Sequence, residues 1–188
     1  MCMRRIVIII AIFLIMSAGY LSWRHRHISR YDYIISQAAA RNGLDFHLVK
    51  ALIYEESRFR PGVHGSAGEL GLMQITAAAA SDFTTHKGFS PLNESQRMEP
   101  ALNVEIGCWY LKRSIERYRD SPNPILFALL RYNAGEKRAD NWLKLALSAP
   151  PREGVSREDH YLSVVDFPKT RAYARRILKR ANTRNYWF

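Results

Sequence analysis

The sequence predicts a mainly α fold, one globular domain of about 155 residues behind an N-terminal apolar helix. Three observations predict it. Apolar residues recur at the helical period through most of the chain, with few alternating β-branched runs. Gly, Pro and Asn stand where those periodic stretches should start and stop. The first 23 residues contain an uncharged, strongly apolar run with arginines on both sides. At 188 residues, 47% hydrophobic and 24% charged, the chain can bury a core without disulfides or metals, and no internal repeat is evident.

The apolar run comes first. Arg4 and Arg5 precede 18 uncharged residues from Ile6 to Trp23, and Arg24, His25, Arg26 and His27 follow. That length lies at the short end of what spans a bilayer. Tyr20 and Trp23 fall where aromatic residues meet a membrane interface. An uncleaved anchor through residues 6–23 is favoured over a cleaved signal, although Ser17-Ala18-Gly19 supplies small residues near a cleavage point. Either way, residues 1–27 form an anchor or signal segment. Residues 28–188 form the domain, at or across the membrane and so extracytoplasmic. Cys2 precedes the run and cannot be a lipoprotein cysteine; Cys108 lies in an apolar helical stretch and reads as a buried free thiol.

After the anchor, periodicity predicts helices over about 30–41, 45–58, 74–86, 100–118, 123–133, 137–147 and 168–182. Asn42-Gly43 ends the first, Asp45 caps the second, and Pro100 opens the longest. Pro61-Gly62, Gly65, Gly68 and Gly71 make 61–72 a loop with room for a very short hairpin. Ala149-Pro150-Pro151-Arg152-Glu153-Gly154 marks another loop.

The net charge of +11 looks like a nucleic-acid signal until it is divided along the chain. Residues 1–30 carry five Arg and no acid, and residues 169–188 carry seven basic residues and no acid. The middle, 31–168, holds 16 basic residues and 17 acids. The basic character thus belongs to the two ends, and no nucleic-acid module accompanies it. Nucleic acid is not the expected partner. The basic end suits anionic lipid or wall polymer, or is simply the solvated end of the last helix.

One carboxylate does not belong where the periodicity puts it. With Leu48 at 0° and 100° per residue, Leu52 falls at about 40°, Val49 at about 100°, Ile53 at about 140° and Phe59 at about 20°. Glu56 falls at about 80°, near the middle of this apolar face, whereas Glu55 falls at about 340° and reads as an exposed helix residue. A carboxyl aimed at the core is costly unless protonated, paired or set in a cleft. Desolvation raises its pKa, and a general acid must be protonated near neutral pH. A Glu buried against an arginine fits the helix alone equally well. After it comes Gly71-Leu72-Met73-Gln74. Glycines there permit close backbone approach, and the Gln74 amide offers donor and acceptor to hydroxyls and acetamido groups.

Together these residues resemble the lytic transglycosylases related to the soluble lytic transglycosylase and to goose-type lysozyme. The resemblance begins at Ala51-Leu52-Ile53-Tyr54-Glu55-Glu56-Ser57-Arg58-Phe59-Arg60-Pro61 and continues through Ala67-Gly68-Glu69-Leu70-Gly71-Leu72-Met73-Gln74. Asn103-Val104-Glu105-Ile106-Gly107 with Trp109-Tyr110-Leu111 is similar to the family's second motif. Tyr132-Asn133-Ala134-Gly135 matches its Tyr-Asn-Ala-Gly motif, and Phe167-Pro168-Lys169-Thr170-Arg171-Ala172-Tyr173 resembles its closing element. The match covers about residues 30–180, in order, and implies a lysozyme-like fold. Two positions depart from the pattern: Gly65 stands where many members have Ser, and Lys169 where Glu is common.

The resemblance implies Glu56 as the catalytic acid, with Met73, Gln74, Tyr132 and Asn133 binding substrate and Tyr132 on the acetamido group or orienting Glu56. The implied substrate is the peptidoglycan glycan strand, cut between N-acetylmuramic acid and N-acetylglucosamine to leave a 1,6-anhydro end, with no metal or cofactor. A two-carboxylate glycosidase needs a second acid across the bond; Glu69 and Asp82 are nearest in sequence, with no evident partnering role. The alternatives are a lysozyme-type hydrolase of the same bond and a catalytically silent glycan-binding or scaffold protein.

Overall fold

The computed structural model describes residues 2–148 and 153–184. Among the described residues ten helices run in order: α1 (Cys2–Ser29), α2 (Asp32–Arg41), α3 (Phe46–Ser57), α4 (Ala77–Lys87), α5 (Glu94–Met98), α6 (Pro100–Arg117), α7 (Pro124–Ala134), α8 (Glu136–Leu147), α9 (Arg157–Ser163) and α10 (Pro168–Thr183). Two compact units result, Met1–Tyr33 and Ile34–Phe188. The first is built on α1, which is long and apolar enough to cross a membrane. Its exposed Ile6, Val7, Ile8, Ile9, Phe13 and Leu14 would be costly in water, which is the condition of a membrane-spanning or signal helix.

In the second unit, each helix of the site has an identifiable start. Asp45 accepts the Leu48 N–H at 2.8 Å and opens α3. Thr76 caps α4, and Glu99 accepts the Ala101 and Leu102 N–H groups to open α6, with Pro100 at its first position. Asn123 caps α7 through the Leu126 N–H. At its far end α3 stops abruptly, because Arg58 and Phe59 both take left-handed backbone (φ 53° and 58°). That double turn sends the chain out of the helix two residues after Glu56.

α3 packs on α10, α6 on α7, and α7 on both α8 and α10. Leu52, Ile53, Leu72, Ile106, Leu111, Leu126, Phe127 and Trp142 are fully buried between these elements. Burial of such side chains, about 1.5–3 kcal/mol each, outweighs the modest helix propensities of the valine- and isoleucine-containing segments.

The seven helices anticipated from periodicity all form, with ends shifted by three residues at most. Two short helices, α5 and α9, were not anticipated. The 61–72 loop contains two isolated antiparallel bridges, His64 with Leu70 and Leu70 with Ile75, which is the very short hairpin for which the sequence left room. Cys108 is fully buried, and burial pushes its thiol pKa up. The predicted loop at 149–154 lies mostly outside the described residues.

Candidate active site

A cleft of about 460 Å³ is lined by Glu56, Gly65, Ser66, Glu69, Gln74, Thr76, Tyr110, Arg131, Tyr132, Asn133 and Gly135. It is assembled from the end of α3, the loop that follows, α6 and the end of α7. Of the residues singled out in the sequence, Glu56, Gln74, Tyr132 and Asn133 meet here. Met73 does not: its side chain is fully buried, and a Cβ on Gly107 would stand 2.3 Å from its sulfur. Gly107 therefore lets α6 approach the loop closely, and Met73 acts as a core residue beneath the cleft.

Glu56 is half-buried at the cleft wall. Desolvation pushes its pKa up from 4.5 to about 7, a hydrogen bond from Tyr173 pulls it down, and the charges of Glu55 and Glu69 push it up further. The Tyr173 hydroxyl donates to Glu56 Oε1 from the buried face of α10. The carboxyl is thus fixed by one donor and close to half-protonated at neutral pH, as a group that gives and then takes a proton should be.

Glu55 corrects an expectation. Helical periodicity places it as an exposed helix residue, but its side chain is only 5% exposed. Arg176 donates to it at 2.8 Å, Arg180 at 3.0 Å, and Arg58 lies 3.6 Å away. These arginines also change the reading of the basic C-terminal helix as a solvated end: two of its charges neutralise an acid on α3. Adjacent glutamates have thereby been given opposite environments, Glu55 ion-paired and Glu56 without a basic partner in its hydrogen bonding.

The Gly-Leu-Met-Gln turn is held from α6. Asn103, fully buried, accepts the Met73 N–H at 2.8 Å and donates to the carbonyls of Leu70 (2.8 Å) and Arg97 (2.7 Å). At Gly71 (φ 78°) a Cβ would meet Asn103 Nδ2 at 2.5 Å, so both the backbone and the space require glycine. Gln74 takes left-handed backbone at φ 50°, a strained conformation for this residue. Its amide donates to Val63 O (3.1 Å) and Gly71 O (2.8 Å), which occupies both amide hydrogens and leaves Oε1 as an acceptor at the cleft.

Tyr132 donates to the Met73 carbonyl at 2.8 Å and meets Tyr110 edge to face at 5.7 Å. The tyrosine that reaches Glu56 is Tyr173, to which the sequence had assigned no role. Asn133 is exposed at the rim, its Oδ1 accepting from the Thr170 hydroxyl at 2.7 Å. Arg131 stacks on Tyr110 and pairs with Glu136 at 2.8 Å. Nothing in the sequence marked Tyr173, Asn103 or Arg131 as parts of this site, and Glu69 entered only as a nearby second acid with no evident partnering role. Asn103 and Tyr173 do stand inside the motifs quoted above, but neither motif shows what its side chain touches.

The family model of the transglycosylase SLT domain matches residues 33–153. Among curated relatives, the membrane-bound lytic murein transglycosylase F of Desulfosudis oleivorans is 32% identical over 114 residues, which is 59% of this chain and 23% of that one. Peptidoglycan transglycosylase gp16 of Escherichia phage T7 is 31% identical over 113 residues, 60% of this chain and 8% of that protein. A 70-kDa soluble lytic transglycosylase in complex with bulgecin A superimposes with a TM-score of 0.73 at 21% identity, covering 86% of this chain and 25% of that one. The chain therefore spans a quarter or less of each of these proteins, and the structural match establishes a shared lysozyme-like fold. With the family model covering well over half of its length, the chain belongs to the transglycosylase SLT domain family.

Proposed function

We propose that this protein is a lytic transglycosylase of peptidoglycan, with Glu56 as its general acid and base. The observation that carries the reading is the state of Glu56: half-buried in an open cleft, held by Tyr173, with its pKa raised to about 7. The relatives named above are lytic murein and peptidoglycan transglycosylases, which supports the same substrate here.

In this reading protonated Glu56 donates its proton to the oxygen linking N-acetylmuramic acid to N-acetylglucosamine, and the bond to the anomeric carbon breaks. The substrate's own acetamido oxygen supports the developing positive charge. Glu56, now ionised, accepts the proton of the muramyl 6-hydroxyl as that oxygen closes a 1,6-anhydro ring. The proton balance closes on Glu56, so neither water, metal nor cofactor is needed. Gln74 Oε1, Tyr132 and Asn133 bind the sugars, and the buried Met73 supports Tyr132 through its carbonyl. The helix α1 would anchor the domain in the cytoplasmic membrane with the cleft on the periplasmic side, or serve as its export signal.

The test is the product. Peptidoglycan sacculi digested by the purified protein should release muropeptides ending in anhydro-muramic acid, each lighter by one water than a hydrolysed end. Reducing muramic ends carrying solvent oxygen would instead make the protein a hydrolase. Absence of any release would leave a glycan-binding role.

A further inference from the structure

The cleft holds a second carboxylate. Glu69 lines it together with Glu56, Gln74 and Tyr132, half-buried, from the loop between α3 and α4. The backbone fixes it there. The Gly65 N–H donates to the Glu69 carbonyl at 2.7 Å and the Gly68 N–H to the Gly65 carbonyl at 3.3 Å, closing a tight turn. Gly68 supplies that turn with positive φ (83°). Within it the Ala67 N–H donates to Glu69 Oε2 at 2.9 Å. The basic side chain of the cleft, Arg131, is paired with Glu136 rather than with Glu69.

Gly65 makes the room. A Cβ on residue 65 would stand 2.2 Å from Glu69 Oε2 and 2.8 Å from Gln74 Oε1. Heavy atoms do not share such distances, so the carboxylate keeps this position only while residue 65 has no side chain. Gly65 itself is outside the left-handed region, so its backbone does not require glycine. What glycine supplies at 65 is space for Glu69.

An ionised carboxylate only accepts hydrogen bonds, whereas a sugar chain offers hydroxyl and N-acetyl N–H donors. Oε2 accepts from Ala67, and Oε1 remains as an acceptor for a donor in the cleft. We propose that Glu69 is a substrate-contacting residue whose carboxylate accepts a hydrogen bond from a sugar bound beside Glu56, and that Gly65 is required because it gives Glu69 that place. This rests on the cleft being the sugar-binding site proposed above.

A charge-assisted hydrogen bond of this kind is worth roughly a tenfold to hundredfold change in kcat/KM. In the full-length protein acting on sacculi, Glu69→Ala should lower kcat/KM at least about tenfold. Gly65→Ala, which evicts the carboxylate and also crowds Gln74 Oε1, should cost at least that factor. The double variant Gly65→Ala/Glu69→Ala should be no worse than Gly65→Ala alone, because the alanine has already removed the Glu69 contact. In a Glu56→Gln background, adding Glu69→Ala should also weaken binding of chitopentaose about tenfold, a readout that a merely structural role would not move. Wild-type kcat/KM and chitopentaose affinity in Glu69→Ala would overturn the inference, as would losses that multiply in the double variant. If Glu56→Gln is inactive while Glu69→Ala behaves as wild type, this inference alone falls. If Glu56→Gln still cleaves, the proposed function falls.

Discussion

Glu56 and Glu55 are chemically identical and adjacent, yet they differ in everything that matters for catalysis. Glu55 is ion-paired with Arg176 and Arg180, whereas Glu56 has a neutral phenol, low solvation and two nearby like charges. A carboxyl whose pKa rises on folding, here from 4.5 to about 7, favours the folded state at low pH. The folded chain keeps a proton that the unfolded chain releases, so stability falls as pH rises through that window. Glu56→Gln, which cannot ionise, should therefore unfold at a higher temperature than the wild type at pH 8, by roughly 1–3 kcal/mol of stability, and close to the wild-type temperature at pH 4. Thermal melts across pH check this. The rate should fall above about pH 7 as the acid is lost. Tyr173→Phe removes the hydrogen bond that lowers the Glu56 pKa, so its alkaline limb should move to higher pH while kcat drops about tenfold; a pH–rate profile reads both. The inward direction of Glu56 was legible from helical angles alone. The burial of Glu55 was not, because its arginines arrive from a helix more than a hundred residues away.

At the level of helices and turns, the site depends on α6 gripping the 70–74 turn through Asn103. One side chain satisfies the buried Met73 N–H and Leu70 C=O and the part-buried Arg97 C=O. Asn103→Ala should cost about 2–4 kcal/mol in chemical denaturation, since it orphans two buried backbone groups and weakens a third. Its residual folded fraction should bind chitopentaose poorly, because Gln74 loses its support. The long helices were readable since each buries a continuous stripe, and periodicity reports stripes. The five-residue α5 and seven-residue α9 are too short to show a period. They are set by caps instead: Asn93 with Gln96 forms a reciprocal capping box, and Ser156 accepts the Asp159 N–H. The hairpin bridges at 64–75 were only half legible, because what closes them is backbone pairing between loop residues and not side-chain alternation.

Across the chain, the excess basic charge divides into two ends with different physical roles. The C-terminal end belongs to α10, which supplies Tyr173 to Glu56, two arginines to Glu55 and a core face of Tyr173, Ala174, Ile177 and Leu178. Deleting residues 169–188 should thus unfold the domain rather than trim a tail, visible as loss of cooperative thermal melting. The N-terminal basic residues flank the apolar run within α1, whose exposed apolar surface is the property of a membrane or export segment. The full chain should partition with membranes and resist high-salt extraction, and deletion of residues 1–27 should release it to the soluble fraction. Composition showed where the charge lay, but only the packed helix shows which charges are paired.

The most direct test of the central claim is muropeptide mass spectrometry of sacculi treated with the wild type and with Glu56→Gln, side by side at pH 6. The wild type should release anhydro-muramyl products, and the variant, equally folded, should release none above background. Release by Glu56→Gln at the wild-type rate would contradict the assignment of Glu56 as the acid and, with it, the proposed reaction.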